Sequence, residues 1–293
     1  VSEVKKLKAG KAILLENTRF YAEESLEGDA VKLAKTRIVS TLAPLADAFV
    51  NDAFSAAHRP QTTLIGFTAV LPSYAGRVME REYTAIAKAI SSPVRPCVYV
   101  LGGGKPDDCY DILAHALESG AADKVLCGGV IGELVLLAQG FDLGSKTKWL
   151  REQKFDALLP QIKVLLEKHG DKIVAPTDFA YADADGVRVE VPVEKLAGGD
   201  YKVFDIGSST AKAFAYAISQ AKTVYLKGPL GAYEQPAFEN GTRLIMKAIE
   251  SSGSYSLMGG GHTLSALEKF GIAKKKLGHV SLAGGAMLAM LGG

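Results

Sequence analysis

The chain has 293 residues, which is enough for one large domain or two of ordinary size. With 48% hydrophobic and 23% charged residues it can bury a core, so disorder is excluded as its main state. The 34 Lys and Arg nearly balance the 32 Asp and Glu, and the net charge of +2 argues against a dedicated nucleic-acid-binding protein.

Segments that would mark a membrane or secreted protein are not found. No run approaches the ~20 apolar residues of a membrane helix, and no signal-peptide pattern opens the sequence. The three cysteines are odd in number and none is part of a CxxC pair, which disfavours a disulfide framework and a structural zinc site. We therefore expect a cytoplasmic globular protein without a membrane partner.

Residues 1–72 predict a small and incomplete α/β piece. Residues 12–15 and 48–50 have the composition of strands, and residues 29–45 have a helical pattern. Two strands and one or two helices cannot close an independent core.

A helix over residues 74–92 is predicted to join this piece to the rest of the chain. Its apolar residues recur at helical spacing, and Pro93 and Pro96 end the pattern. We predict a partial N-terminal domain over 1–92, which includes this helix, and a second domain over 93–293. Since the sequence starts without methionine and stops inside an apolar helical pattern, we expect a fragment of a longer protein.

The second domain is predicted to be α/β, with a parallel sheet covered by helices on both faces. Short, continuously apolar runs are followed by small residues and then by a helical pattern, as is typical of such sheets. The strands are predicted at residues 97–101, 124–127, 223–226, 255–258 and 279–281, and the helices at residues 111–119, 209–220, 238–251 and 264–270.

The five glycine-rich turns that follow these strands are predicted to share one rim. Right-handed crossovers place every strand-to-helix turn of a parallel sheet at one edge, and ligands of open α/β sheets bind there. One stretch breaks the rhythm: residues 178–191 alternate around Asp185-Gly186 and predict an antiparallel hairpin. Residues 146–169 before it predict a long helix that is broken near Pro160.

The turn Gly102-Gly103-Gly104-Lys105 is a candidate anion site. Glycines after a strand let backbone N–H groups approach an anion, and a following lysine adds a mobile positive charge. The turn matches neither GxxxxGKS/T nor GxGxxG. Taken singly, an ordinary glycine-rich turn before an exposed lysine is the better interpretation.

The turn Gly259-Gly260-Gly261-His262-Thr263 is a second candidate. Three consecutive glycines cost backbone entropy, and a close approach of phosphate to backbone amides would explain them. A helix that begins at this turn would add the positive end of its dipole. The histidine is either a donor to phosphate or a surface residue.

The turn Gly228-Pro229-Leu230-Gly231 carries a carboxylate, Glu234, a few residues later. On the predicted rim, this carboxylate could accept hydrogen bonds from the two ribose hydroxyls of a nucleotide. As a solvated turn residue, it would look the same in the sequence.

Two arginines at predicted strand ends, Arg19 and Arg59, suggest a small anion held bidentately. Surface arginines paired with local acids would have the same pattern. The five histidines are scattered, so no metal cluster is expected. No Ser-His-Asp set and no GxSxG motif is present.

Taken in order, the turns closely resemble the phosphoglycerate kinase family, over essentially the whole chain. The residues that carry the resemblance are Glu16-Asn17-Thr18-Arg19-Phe20, Val50-Asn51-Asp52-Ala53-Phe54 with His58-Arg59, Leu101-Gly102-Gly103-Gly104-Lys105, Gly228-Pro229-Leu230-Gly231 with Glu234, and Gly259-Gly260-Gly261-His262-Thr263. Histidine rather than aspartate in the last turn is similar to archaeal-type members.

The resemblance implies two Rossmann-like domains joined by a helix and closing like a hinge. The N-terminal domain would bind 3-phosphoglycerate or 1,3-bisphosphoglycerate, and the C-terminal domain Mg-ADP or Mg-ATP. Members of the family transfer a phosphoryl group reversibly between the acyl phosphate and ADP in glycolysis. Phosphoryl transfer needs positioning and charge neutralisation more than covalent chemistry, which suits glycine turns and a few cations.

Residue roles follow from the same resemblance. Arg19 and Arg59 would contact the phosphoglycerate, and Lys105 would act on the transferring phosphoryl group. Glu234 would hold the ribose. The remaining nucleotide-binding positions would be Gly103, Gly104, Gly228, Pro229, Gly260, Gly261, His262, Thr263, Gly284 and Gly285.

The sequence departs from the family pattern in several places. The N-terminal segment of the family, which carries a catalytic arginine, is absent. Cys109 stands where many members have a second lysine, four residues after the first. The turn over residues 281–286 lacks a hydroxyl and a glycine of the family pattern. Since a neutral His262 is a poor ligand for so hard a cation, we expect Mg²⁺ to be held by phosphate oxygens and water, with no side-chain metal ligands.

Two hypotheses therefore stand. In the first, the chain is a monomeric part of a phosphoglycerate kinase that binds adenine nucleotide weakly and turns over little or not at all. In the second, it is a non-catalytic module that binds adenine nucleotide through the same turns. The coding sequence upstream would distinguish the two.

Overall fold

The computed structural model describes residues 1–281 and 283–293. The chain divides into two compact units, Val1–Ala85 and Ile86–Gly293. The predicted domains over 1–92 and 93–293, and the ligands expected for each, remain predictions. Within the described residues, no helix is both long and apolar enough to cross a membrane.

The first unit consists of short elements. Its strands pair in parallel with Phe49 opposite Ser73, which confirms a strand close to residues 48–50. Its helices and strands, the last helix running on into the second unit, are α1 (Ser2–Lys5), α2 (Ala30–Leu33), α3 (Arg37–Leu42), β1 (Phe49–Asn51), α4 (Thr62–Ile65), β2 (Ser73–Ala75) and α5 (Arg77–Ser91).

Two of the predicted elements in this unit are wrong. Residues 11–17 have no regular secondary structure, and Leu14 is 98% exposed, so an apolar run here does not make a strand. The helix predicted over 29–45 is interrupted between α2 and α3. Thr36 has an extended backbone there, and its hydroxyl donates to the Leu33 carbonyl instead of continuing the helix.

The connecting helix begins three residues later than the predicted residue 74. Residues Ser73–Ala75 form β2, and the helix α5 starts at Arg77. The Asp52 carboxylate, after β1, accepts hydrogen bonds from the backbone N–H groups of Val78 and Met79 at 2.6 and 3.0 Å. This carboxylate caps α5 from a distant part of the sequence, which fixes where the helix begins.

The second unit contains a six-stranded sheet and a three-stranded sheet. Its elements are β3 (Cys97–Leu101), α6 (Pro106–Glu118), β4 (Lys124–Cys127), α7 (Gly129–Ala138), α8 (Ser145–Glu152), α9 (Leu159–His169), β5 (Ile173–Val174), β6 (Asp178–Ala182), β7 (Arg188–Pro192), β8 (Val203–Ile206), α10 (Ser208–Ser219), β9 (Thr223–Lys227), α11 (Asn240–Ser252), β10 (Tyr255–Gly259), α12 (Gly261–Lys269), β11 (His279–Ser281) and α13 (Gly284–Gly292).

The larger sheet is parallel throughout, in the order β11-β10-β9-β3-β4-β5. Read from β5, the strands follow the order 3-2-1-4-5-6 that defines a Rossmann-like doubly wound sheet. The predicted fold class is confirmed, and the five predicted strands agree with the observed ones to within a residue. The direction of the connections reverses between β3 and β9, which pair with Leu101 opposite Lys227.

The central strands are buried on both faces. Every residue of β3 and of β9 is buried. Tyr99 and Tyr225 stack across the pair with ring centroids 4.3 Å apart, and the Tyr225 hydroxyl donates to the Ala89 carbonyl of α5. Continuous apolar runs were therefore the correct sign of these strands, because the helices cover both sides of the sheet.

The interruption of the α/β alternation is also observed. Strands β6 and β7 pair antiparallel with Phe179 opposite Val191, which confirms the predicted hairpin, and β8 extends this small sheet. The helical span predicted over 146–169 is broken, as expected, but the break between α8 and α9 lies before Pro160, at residues 153–158. Lys154, between them, has φ of 62°, and Pro160 lies in the first turn of α9 rather than at a break.

The carboxylate of Asp178, at the start of β6, binds the N-terminus of α10. It accepts from the backbone N–H groups of Ser209 and Thr210 at 3.0 and 2.8 Å, and from the Thr210 hydroxyl. Burial raises the pKa of Asp178, but these hydrogen bonds outweigh burial and bring the pKa below its usual value. The contact ties the small sheet to the helix that follows β8.

We expect Asp178→Asn to lower the free energy of unfolding at pH 7 by about 1–3 kcal/mol, because its amide nitrogen would face backbone N–H donors. Since the folded-state pKa is below the unfolded one, this stabilisation exists above about pH 4 and is lost as the pH falls through the folded-state pKa. Urea unfolding of the variant and of the unmodified chain, at pH 7 and at about pH 3, measures the difference in their free energies of unfolding. The exposed Asp185→Asn is the control, and a difference independent of pH would contradict the assignment.

Candidate functional site

Two glycine-rich turns touch through their backbones at the point where the strand order reverses. Gly102, after β3, donates its N–H to the Lys227 carbonyl at 2.7 Å, and Gly103 donates to the Pro229 carbonyl at 2.7 Å. A Cβ added at Gly102 would lie 2.3 Å from the Pro229 carbonyl oxygen. Gly228 has φ of 78°, and its Cβ would lie 2.3 Å from the Gly102 carbonyl oxygen. These two glycines are needed so that the turns can approach each other.

Other glycines of the predicted site face open space. A Cβ added at Gly104 or at Gly261 would have no heavy atom within 4 Å. Packing within the described protein therefore does not require glycine at either position. An absent side chain at such a place leaves room for a ligand to reach the backbone.

A cavity of about 380 Å³ lies at the carboxyl ends of the strands, within the second unit. Five of the predicted site residues line it, namely Gly103, Gly104, Pro229, Glu234 and His262. They come from the turns after β3, β9 and β10, and the turn after β4 contributes Gly129 as well. The expectation that these turns share one rim agrees with this geometry.

The last two predicted turns lie beside each other. Gly260 precedes α12 with φ of 97°, and the Thr263 hydroxyl accepts the Gly228 N–H at 3.2 Å. Gly284, at the start of α13, would place a Cβ 3.0 Å from the Gly260 Cα. Gly285 follows in the first turn of that helix. Leu282 of the predicted turn lies outside the described residues.

Lys105 is exposed at the N-terminal end of α6, directly after Gly104. Its side chain has no ion-pair partner among residues 1–281 and 283–293. The ammonium is therefore available to an anion at the cavity, although Lys105 itself is not part of the cavity wall.

Glu234 and His262 face each other at the cavity, with Glu234 Oε1 and His262 Nδ1 3.6 Å apart and both side chains more than half exposed. The chain beside Glu234 is held in place by Lys269, whose ammonium donates to the Tyr233 carbonyl at 2.6 Å. The turn is thus fixed while the carboxylate remains free to accept from a ligand.

The sequence analysis missed a buried ion pair in the cavity wall. Glu133 of α7 and Lys146 of α8 lie 3.2 Å apart, and both line the cavity. Burial raises the pKa of Glu133, and the Lys146 ammonium opposes this shift. The second carboxylate oxygen of Glu133 is buried without a partner among the described residues. A glutamate inside the apolar run of α7 was the signal that could have revealed it.

A second residue that was not among the predicted site residues is Asp205, near the end of β8. Its carboxylate accepts from the Arg188 guanidinium at 2.9 Å and from the Gly241 N–H at 2.8 Å. Burial raises the pKa of Asp205 to about 6, against the opposing effect of these donors. A Cβ at Gly231 would lie 2.2 Å from Asp205 Oδ1, so this carboxylate also shapes the turn after β9.

The third missed residue is Lys227, the last residue of β9. It is only 9% exposed, and its ammonium lies 3.0 Å from Cys109 Sγ and 3.2 Å from the Lys105 carbonyl oxygen. A lysine that ends an apolar strand looked like an ordinary strand boundary in the sequence.

Arg19 and Arg59 belong to the first unit, and both are exposed. The backbone N–H of Arg19 donates to Asn17 Oδ1 at 3.0 Å, and this hydrogen bond shapes the turn. Neither guanidinium forms an ion pair with a carboxylate in the part of the chain that the structure describes. The alternative of arginines paired with local acids is thus not what is observed.

Side chains suited to metal binding do not cluster. Among the residues described, no group of three or more His, Cys, Asp or Glu side chains is placed to hold an ion. The three cysteines are buried and unpaired.

The second unit is thus a doubly wound α/β unit with a cavity at its topological switch point, and the first is a smaller α/β unit. A profile of the family "Phosphoglycerate kinase" matches residues 1–293. A phosphoglycerate kinase of Methanothermus fervidus is 40% identical over 291 residues, 99% of this chain and 70% of that protein. One from Methanopyrus kandleri is 42% identical over 292 residues, 99% of this chain and 71% of its own length.

Solved structures agree with the sequence comparisons. The crystal structure of phosphoglycerate kinase from Pyrococcus horikoshii superposes with a TM-score of 0.90 at 36% identity, over 99% of this chain and 72% of that one. The structure of phosphoglycerate kinase from Coxiella burnetii superposes with a TM-score of 0.82 at 33% identity, over 97% of this chain and 70% of that one. The chain therefore belongs to the phosphoglycerate kinase family, and it spans about 70% of the length of these relatives.

We expect Gly104→Ala to fold normally, because its Cβ would meet no heavy atom within 4 Å. If this turn binds the phosphates of Mg-ADP, the added methyl group should weaken that binding by about tenfold or more. Gly228→Ala should instead lower the thermal unfolding midpoint without ligand, since its Cβ would meet the Gly102 carbonyl. Thermal unfolding and calorimetric titration of both variants separate the two roles. Unchanged affinity of Gly104→Ala would exclude a phosphate at this turn.

Proposed function

We propose that the chain carries the nucleotide-binding part of a phosphoglycerate kinase, which transfers a phosphoryl group reversibly from 1,3-bisphosphoglycerate to ADP and yields 3-phosphoglycerate and ATP in glycolysis. The observation that carries this proposal is the cavity built from the turns after β3, β4, β9 and β10 at the switch point of the sheet. Nucleotides bind at this place in doubly wound folds, and membership of the family supplies the reaction.

The turns provide the contacts for the nucleotide. Backbone N–H groups at Gly104 and Gly261 approach the phosphates, and the positive end of α12 adds to them. Gly103 lines the cavity beside Gly104 and holds the turn in place through its own N–H, which donates to the Pro229 carbonyl. Glu234 accepts hydrogen bonds from the ribose hydroxyls. Gly260, His262 and Thr263 also contact the phosphates. Gly228, Pro229, Gly284 and Gly285 contribute further nucleotide contacts.

The cations neutralise the negative charge that moves during the transfer. Lys105, exposed beside Gly104, binds the transferring phosphoryl group and stabilises its charge in the transition state. Arg19 and Arg59 bind the carboxylate or phosphate of the phosphoglycerate, since a guanidinium matches the geometry of both.

Magnesium accompanies the nucleotide and neutralises its phosphates. Three carboxylates line the cavity. Glu234 is assigned to the ribose, Glu133 pairs with Lys146 and Asp205 pairs with Arg188. No group of three or more metal-binding side chains is found among the described residues. Hard cations prefer oxygen ligands. The chain therefore leaves Mg²⁺ to phosphate oxygens and water, and its own residues orient the phosphates.

We further propose that these 293 residues alone are monomeric and cytoplasmic, bind Mg-ADP, and turn over slowly or not at all. Support for low turnover comes from the relatives, of which the match covers about 70%. Calorimetric titration with Mg-ADP and separately with 3-phosphoglycerate tests this, together with a coupled activity assay. We expect the chain to bind Mg-ADP and not to bind 3-phosphoglycerate. No heat with Mg-ADP would refute the nucleotide site, and robust turnover would refute the low activity.

The alternative is a non-catalytic module that binds adenine nucleotide through the same turns. It would be favoured if a chain as long as the relatives bound Mg-ADP and still showed no phosphoryl transfer.

We expect Lys105→Ala, in a chain with measurable turnover, to lower kcat about 100-fold or more and to weaken Mg-ADP binding only modestly. The reason is that the charge on the moving phosphoryl group matters most in the transition state. Steady-state kinetics measures kcat, and calorimetry measures the affinity for Mg-ADP. Equal losses in kcat and in affinity would show that Lys105 only binds ground-state phosphate.

Glu234→Ala should have the opposite profile. Loss of the acceptor for two ribose hydroxyls is expected to weaken Mg-ADP binding about tenfold, with a smaller effect on kcat at saturation. Glu167→Ala, an exposed position on α9 outside the cavity wall, serves as the control. Unchanged affinity of Glu234→Ala would remove this residue from the site.

A further inference from the structure

The ammonium of Lys227 lies beneath the turn that follows β3. It donates to the Lys105 carbonyl oxygen at 3.2 Å and to Cys109 Sγ at 3.0 Å, and the nearest carboxylate oxygen, on Asp108, is 3.6 Å away. Only 11% of the Lys227 side chain is exposed. The amine is therefore held in one place by residues of the 102–105 turn and of the first turn of α6.

The positive charge of Lys227 is only partly compensated by these partners. A carbonyl group is neutral, and burial raises the pKa of the Cys109 thiol against the opposing effect of the ammonium, so the sulfur carries a proton at neutral pH. Asp108 is the one described carboxylate within 4.0 Å, and 41% of its side chain faces solvent. A buried ammonium is costly unless it is paired, so this arrangement favours an anion nearby.

The position of Lys227 in the sheet indicates where such an anion would bind. Lys227 is the last residue of β9 and immediately precedes the turn 228–231, while its amine touches the turn 102–105. It thus spans the two glycine-rich turns on either side of the switch point. Lys227 is not part of the cavity wall, but its amine contacts the turn that contributes Gly103 and Gly104 to that wall.

We propose that Lys227 supplies the second cation of the polyphosphate site, from strand β9 instead of from helix α6. This inference rests on the proposed function. Cys109 stands where many members of the family have their second lysine, and in this chain another lysine places its amine 3.0 Å from the Cys109 sulfur. An ammonium from strand β9 thus lies beside position 109.

Lys227 acts on the ligand in two ways. Its charge attracts the terminal phosphates of ADP or ATP, and its hydrogen bond to the Lys105 carbonyl fixes the turn from which the Lys105 side chain extends. Both effects concern the β- and γ-phosphates and not the base or the ribose. Binding of ADP should therefore depend on Lys227 more than binding of AMP.

The test compares four chains by calorimetric titration with Mg-ADP and with AMP. Lys227→Met, neutral and of similar shape, is expected to weaken Mg-ADP binding about tenfold or more and AMP binding less than about threefold. Lys227→Arg should keep most of the affinity. The double variant Lys227→Ala/Cys109→Lys returns an ammonium from α6 into the vacated space and should restore Mg-ADP binding to within about threefold of the unmodified chain.

Controls distinguish charge from folding. Lys124→Met removes one positive charge at the other end of the sheet, where β4 begins, and should change neither affinity. Thermal unfolding without ligand reports on stability in each chain. Two results would overturn the inference. In the first, Lys227→Met binds Mg-ADP as tightly as the unmodified chain does. In the second, Lys227→Met loses affinity for Mg-ADP and for AMP equally, and the double variant does not restore it. An unmodified chain that binds no Mg-ADP would refute the proposed function itself, and the inference with it.

Discussion

The candidate site depends on the close approach of two backbone turns at the centre of the parallel sheet. Strands β3 and β9 pair side by side, so the turns that follow them have to share the space above one edge. They do so because Gly102 and Gly228 have no side chains, and a Cβ at either would lie 2.3 Å from a carbonyl oxygen of the other turn. Residues of both turns line the cavity, and the Gly228 N–H is bound by Thr263 in the first turn of α12.

The sequence was sufficient for the fold where one physical rule dominates. Strands buried on both faces are rich in apolar residues, so residues 97–101, and residues 124–127 with Lys124 at the exposed start, were predicted with their observed bounds. It failed where a distant residue decides the outcome. The start of α5 is set by Asp52, about 25 residues earlier, and no local pattern shows that contact. The apolar run at 12–15 illustrates the converse, since hydrophobicity without a pairing strand does not make a strand.

The residues of the candidate site also divide into those that a general rule could place from the sequence and those that depend on a distant contact. Turns after parallel strands meet by topology alone, so the glycine-rich turns could be placed on one rim before any contact was known. The charged residues Glu133, Lys146 and Lys227 could not be found in this way, because each belongs to a regular element and acquires its role from a neighbour in space. An isolated charge inside an apolar helix or at the end of an apolar strand is the signal to follow in similar chains.

The cysteines have a practical consequence for spectroscopy. Cys97, Cys109 and Cys127 are buried, and burial raises the pKa of each, that of Cys97 to about 12. Thiol-reactive dyes attack the thiolate, so these native sulfurs react slowly at neutral pH. New cysteines on the surface of each unit can therefore be labelled selectively with a donor and an acceptor fluorophore. Energy transfer between them would then follow the distance between the units as nucleotide is added.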